Sequence, residues 1–256
     1  KEYASQYGTP FYHSFFLFNA FFLVFTSWCL SEIFALKTFA KTSEVVKIII
    51  HTLILLLISI TSYVLTPYDS PALFLFAITV FFTLKYFEER KPKQLIIISA
   101  LIFISTLNRE TSSLNISFLG ALFFDKGILK KERLQQFLRI IALPVFAFLL
   151  AYISVRIFMK TDEATVSEGI YLVQNLTKPN NILGILFFII FIKWSKKISS
   201  SQQNIGKISA FLLLCSPYLL MILMVGILWE IRLFIPIIIG IILLSQMNFE
   251  EDTKMD

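Results

Sequence analysis

The chain has 256 residues, 57% of them hydrophobic, 16% aromatic and only 16% charged, with a mean hydropathy of +0.76 and a net charge of +6. A soluble domain carries roughly 25% charged residues, so a soluble enzyme or nucleic-acid-binding domain is excluded and an all-α, polytopic transmembrane helical bundle is expected. The apolar runs are continuous rather than alternating, which rules against a transmembrane barrel.

In chain order, residues 1–13 read as the remnant of an outer loop, so the chain is expected to be truncated at its N-terminus. The first span covers about 14–36 and is rich in Phe. A basic connection with Lys37, Lys41 and Lys47 leads to a second span over 48–66. Two prolines then bracket a tight turn, Pro67-Tyr68-Asp69-Ser70-Pro71. The third span runs from 72 to about 87 and meets Lys85, Arg90, Lys91 and Lys93.

Next come two apolar runs of thirteen and eleven residues, Leu95–Leu107 and Leu114–Phe124, around the polar stretch Asn108-Arg109-Glu110-Thr111. A lipid-facing helix needs roughly 20 apolar residues. These runs therefore predict a hairpin over 95–124, shielded by other helices, with its polar tip inside the protein. A basic amphipathic connection (125–139) precedes a span over 140–158 and a polar outer loop over 159–181. Spans follow over 182–194, 208–228 and 233–245, about nine membrane segments in one domain, and the acidic tail 246–256 is expected to fray. Asn175-Leu176-Thr177 matches a glycosylation sequon short enough to arise by chance.

Lysine and arginine gather in the cytoplasmic connections of membrane proteins. Placing 37–47, 85–93, 125–139, 193–207 and the tail inside accounts for 17 of the 23 basic residues, leaving only Lys1, Arg109, Arg156, Lys160, Lys178 and Arg232 elsewhere. Tyr68-Asp69, the hairpin tip, the 159–181 loop and Glu230-Ile231-Arg232 then all fall on the outer face.

Ionisable groups at membrane depth pair or serve function. Adjacent helical residues point about 100° apart, so Arg109 and Glu110 need separate partners, either Asp69 or Glu230 across the cavity or an anionic ligand. Arginine suits phosphate because its planar fork binds two oxygens. Asp69 reads equally as a helix N-cap or as a group reserved for an arginine or a substrate hydroxyl. Arg232 and Glu230 read equally as solvated interface residues or as part of a phosphate site with Arg109. Cys29 and Cys215 lie in apolar runs, and His13 and His51 stand apart, so no metal site is indicated. No cofactor is called for; a divalent metal stays open.

Three short motifs in this order, the Tyr68-Asp69 turn, Leu107-Asn108-Arg109-Glu110-Thr111, and Glu230-Ile231-Arg232-Leu233-Phe234-Ile235-Pro236, resemble those of the GT-C superfamily of polytopic glycosyltransferases. The resemblance implies sugar transfer from a polyprenyl-phosphate donor to an acceptor glycan, lipid or protein on the extracytoplasmic side of a bacterial inner membrane, within cell-envelope chemistry. It implies that Arg109 and Arg232 contact the donor phosphate and that Asp69 helps to shape the cavity; Glu110, Glu230, Tyr68 and Asn108 complete the candidate substrate- or phosphate-binding set. The family places its catalytic carboxylate in the first outer loop, where Glu2 is the available acid, so no general base is assigned. The rival reading is a lipid-linked glycan translocase or other transporter without catalytic activity.

Overall fold

In the computed structural model, residues 10–61, 66, 68–124, 127, 130–158, 171–226, 228 and 231–249 are described. Eleven helices order them: α1 (Pro10–Phe34), α2 (Glu44–Thr61), α3 (Asp69–Glu89), α4 (Pro92–Asn108), α5 (Ser113–Phe123), α6 (Lys131–Phe158), α7 (Leu172–Thr177), α8 (Pro179–Lys197), α9 (Gln202–Leu214), α10 (Ser216–Val225) and α11 (Ile235–Gln246). Single 3-10 turns lie at Lys37–Phe39, Glu110–Ser112 and Ile231–Leu233. There is no strand among the described residues.

By length and composition four helices can cross a membrane: α1, α2, α3 and α6, or five spans if the bent pair α9–α10 counts as one. The expected nine segments shrink because several apolar helices are short. α4 has 17 residues, α5 has 11 and α11 has 12. At 1.5 Å per residue α5 and α11 reach only about 17–18 Å, against roughly 30 Å of hydrocarbon. They tolerate this because they are shielded: Leu114 to Leu122 and Ile235 to Ser245 are almost continuously buried. A helix apolar on all sides belongs in a core. Around them, α1, α2, α4, α6 and α8 turn Phe21, Val24, Ile60, Ile96, Phe146 and Phe187 outward, each more than half exposed.

The hairpin reverses as expected. At its start, Arg90 ends α3 in the left-handed region (φ 55°), lets the chain turn into Pro92, and lays its guanidinium 4.3 Å over the Phe123 ring at the end of α5. At its tip, Asn108 Nδ2 donates to Tyr68 O (3.0 Å), just before α3. The chain therefore runs down α3, up α4 and down α5.

The end that holds Arg90 gathers the basic connections. Thr38 donates its N–H and hydroxyl to Glu88 (2.7 Å each), and Lys207 Nζ donates to Leu122 O and Phe124 O (2.7 and 2.8 Å), capping α5. Asn204, wholly buried, donates to Leu244 O, Ser245 O and Met247 O. Segments 37–47, 85–93, 130–139 and 193–207 thus share one end.

Three expectations are corrected. The amphipathic stretch from Lys131 to Arg139 is not a separate connection but the first turns of α6. The crossing read over 208–228 is broken, α10 bending 47° from α9. Pro217 has no N–H to give Leu213 O; Ser216 Oγ donates there instead (2.7 Å), and Ser117 Oγ serves Leu214 O (3.1 Å). The start of the tail does not fray. Asn248 N donates to Thr38 O (2.7 Å), Met247 is buried, and Phe249 meets Phe87 edge-on. Residues 250–256 lie outside the described residues, as do 1–9 and 159–170 of the two segments expected to be outer loops.

Asn175 resolves the sequon. It is buried in α7 and donates to Leu223 O and Gly226 O (2.9 and 2.8 Å), while its oxygen accepts from Asn181 Nδ2 (3.1 Å). The amide is a clasp that ties α7 and α8 to the end of α10.

Candidate functional site

Opposite the basic end, three helix starts meet. Asp69 opens α3, Arg109 precedes the turn into α5, and Arg232 sits in the 3-10 turn before α11. Asp69 Oδ1 accepts from Arg109 Nη1, Asp69 Oδ2 accepts from Arg232 Nη1 at 2.9 Å, and Thr66 Oγ1 donates to the same Oδ2 at 2.5 Å. The cap at Tyr68 uses no side chain, so the N-cap reading of Asp69 gives way to the arginine reading.

The local backbone explains the aim of each group. Arg109 is extended at the end of α4, its N–H donating to Ser105 O (2.8 Å), and its guanidinium lies 5.4 Å from the Tyr68 ring centroid. Asn108 fastens the same turn through Tyr68 O. Arg232 is steadied from α10, where buried Tyr218 donates its hydroxyl to Leu233 O (3.1 Å). Asp69, Arg109 and Arg232 side chains are 15, 22 and 19% exposed. They are sheltered enough for charge to matter, yet open to the bundle end.

Among the described residues the cluster joins two guanidiniums to one shared carboxylate. Each guanidinium is a planar fork of five N–H donors, and each reaches Asp69 through its Nη1. The first turns of α3, α5 and α11 add the positive ends of three helix dipoles. Such an arrangement is suited to hold an anion with several oxygens.

Five of the sequence candidates are therefore brought together: Tyr68, Asp69, Asn108, Arg109 and Arg232. Glu110 is not among them. It stands in the 3-10 turn, accepts from Arg156 Nη2 at 2.7 Å, and both side chains are about half exposed. The expectation of separate partners for Arg109 and Glu110 holds, though Arg109 is not helical. Glu230 lies outside the described residues.

Sequence reasoning missed Arg156, Thr66 and Tyr218. Arg156 carried a signal, being one of the few basic residues that fall outside the basic connections, in the last turn of its helix. It also lies 5.3 Å from the Tyr152 ring centroid. Among the described residues no group of three His, Cys, Asp or Glu could hold a metal ion. Compared with protein-family models, curated proteins and solved structures, the chain finds no match.

Proposed function

We propose that this protein is an integral-membrane glycosyltransferase of GT-C type that moves a sugar from a polyprenyl-phosphate donor to an extracytoplasmic acceptor. The observation that carries the reading is the convergence of Arg109 and Arg232, 123 positions apart in the sequence, on one carboxylate at the end away from the basic connections. Asp69 keeps the two forks side by side and limits their mutual repulsion. A lipid-linked phosphate entering there exchanges water for charge-assisted hydrogen bonds. As the sugar departs, negative charge grows on the phosphate, and prepositioned guanidiniums stabilise it without reorganising.

The placement favours transfer over transport. A transporter needs a polar route joining both faces. Beneath the arginine cluster the bundle is filled: Leu114, Phe118, Phe211, Ile237 and Ile239 are buried, and the Phe118 and Phe211 rings meet edge-on at 5.8 Å. Asp69, held by two arginines, is a poor general base, so its role here is to organise the phosphate site.

The test is sugar transfer from radiolabelled polyprenyl-phosphate sugars by the protein in proteoliposomes. Arg109→Ala and Arg232→Ala should each lose about 100-fold or more in rate, the scale for removing a donor to developing charge. Undiminished transfer by Arg109→Ala refutes the phosphate role. Sugar-lipid flux across the bilayer without transfer would establish the transporter reading instead.

A further inference from the structure

We propose that a cleft at the basic end, between the last turns of α1 and the first turns of α2, binds the phosphate headgroup of one anionic glycerophospholipid. This rests on the membrane reading of the bundle and is independent of sugar transfer.

The cleft has a volume of about 480 Å³ and is lined by Ser31, Phe34, Ala35, Glu44, Lys47, Ile48 and His51. That size falls within the roughly 300–1,000 Å³ of small-molecule sites. Its polar groups are arranged asymmetrically. The Lys47 side chain is only 13% exposed while its partner Glu44, at 2.8 Å, is 80% exposed. The ammonium is therefore held inward and the carboxylate sits at the rim. An ammonium has three donors and Glu44 Oε1 takes one. The carboxylate can swing into water at small cost, because exposed pairs contribute little.

His51 is one turn further along α2, its Nε2 3.0 Å from Ser27 Oγ, leaving Nδ1 as a second polar point on the wall. Phe34 and Ile48 supply an apolar floor and lip. The connection between the same helices adds Lys37 and Lys41, both exposed. Cationic pockets between membrane helices on the basic face select anionic headgroups. Outside the cleft, Trp28, more than half exposed and on the same side of α1 as Ser31 and Ala35, offers an apolar wall for an acyl chain at interfacial depth.

The shared chemistry is a phosphate oxygen on Lys47, which a lipid or free phosphate can supply. The experiment separates them. The full chain is placed in nanodiscs of phosphatidylcholine with a minor fraction of phosphatidylglycerol, and lipids retained on release are counted by native mass spectrometry. Wild type should keep one phosphatidylglycerol in preference to phosphatidylcholine. Lys47→Ala should lower that preference about tenfold, the scale of one hydrogen bond to a charged group, and Lys47→Arg should restore it. Glu44→Gln should strengthen retention by removing the competing carboxylate, a gain that misfolding cannot produce. Equal retention of both lipids, an unaltered preference in Lys47→Ala, or no gain in Glu44→Gln overturns the proposal. So does loss of the bound lipid to excess inorganic phosphate, which would make this a free-phosphate site.

Discussion

Removing the Asp69 carboxylate should be the most damaging single change at the bundle's arginine-bearing end, and its consequences have a sign that is hard to imitate. Asp69→Ala deletes an ion pair to Arg109, an ion pair to Arg232 and the hydrogen bond from Thr66. It also leaves two guanidiniums, about four-fifths buried, beside each other without the carboxylate they share. Breaking a buried pair by removing one partner costs about 3–5 kcal/mol. For a chain of this length roughly 1 kcal/mol corresponds to about 2–4 °C, so the midpoint should fall by about 6–20 °C. Arg232→Ala should cost less, because Asp69 keeps Arg109 and Thr66. The double variant Asp69→Ala/Arg232→Ala should then lose less than the sum of the two single changes, since both remove the same Arg232–Asp69 pair. Thermal unfolding in detergent, read by thiol-reactive dye at the buried Cys29 and Cys215, measures all four corners of the cycle. Additive losses, within about 0.5 kcal/mol, would mean that the carboxylate does not organise the two arginines.

Other outcomes follow from separate parts of the bundle. Gly240→Ala places a methyl 2.6 and 2.7 Å from two atoms of the Phe211 ring; it should cost about 1–3 kcal/mol by thermal unfolding, with recovery on adding Phe211→Leu. Asn175→Ala should lower stability by about 2–4 kcal/mol, because the part-buried carbonyls of Leu223 and Gly226 lose the donor that the buried amide supplies. The same burial predicts no mass gain at Asn175 when the protein is made in glycosylating membranes. In sealed vesicles a cysteine at Asn180 and one at Gln203, both exposed, should react with a membrane-impermeant reagent from opposite sides; labelling from one side would contradict the two-ended arrangement.

Much of this architecture is legible in the sequence, for a physical reason. Where lysine and arginine fall between apolar runs is a local property, and so is a run too short to span. Those two patterns identify the basic end and the hairpin over 95–124. Partner choice is different, because it depends on which helices pack together. Arg156 reaches Glu110 only because α6 lies along α4, and Tyr218 can steady the Arg232 turn only after α10 bends. Pro217 was hidden by apolar residues on both sides, which made 208–228 look like one crossing. Composition misled at the tail, where acidic residues suggested fraying although Asn248 and Phe249 dock. Counting apolar runs gives about nine segments, whereas four helices, or five spans with the bent pair, are long and apolar enough to cross; the run read as a crossing over 233–245 forms a helix of only 12 residues.

Those short helices explain why the charged cluster can exist where it does. A helix that spans lipid on its own must put its ends at the two water boundaries. α5 and α11, enclosed by longer helices, are free of that requirement, so their N-termini and the arginines just before them can stop short among protein atoms. Partial burial raises the strength of each ion pair, and it makes the carboxylate of Asp69 necessary, because two guanidiniums so placed would otherwise repel. The helices that allow the cluster also seal the bundle beneath it, through Phe118, Phe211 and the close approach at Gly240. Two arginines on one carboxylate, above helices packed this tightly, suit chemistry on an anion at that end of the bundle.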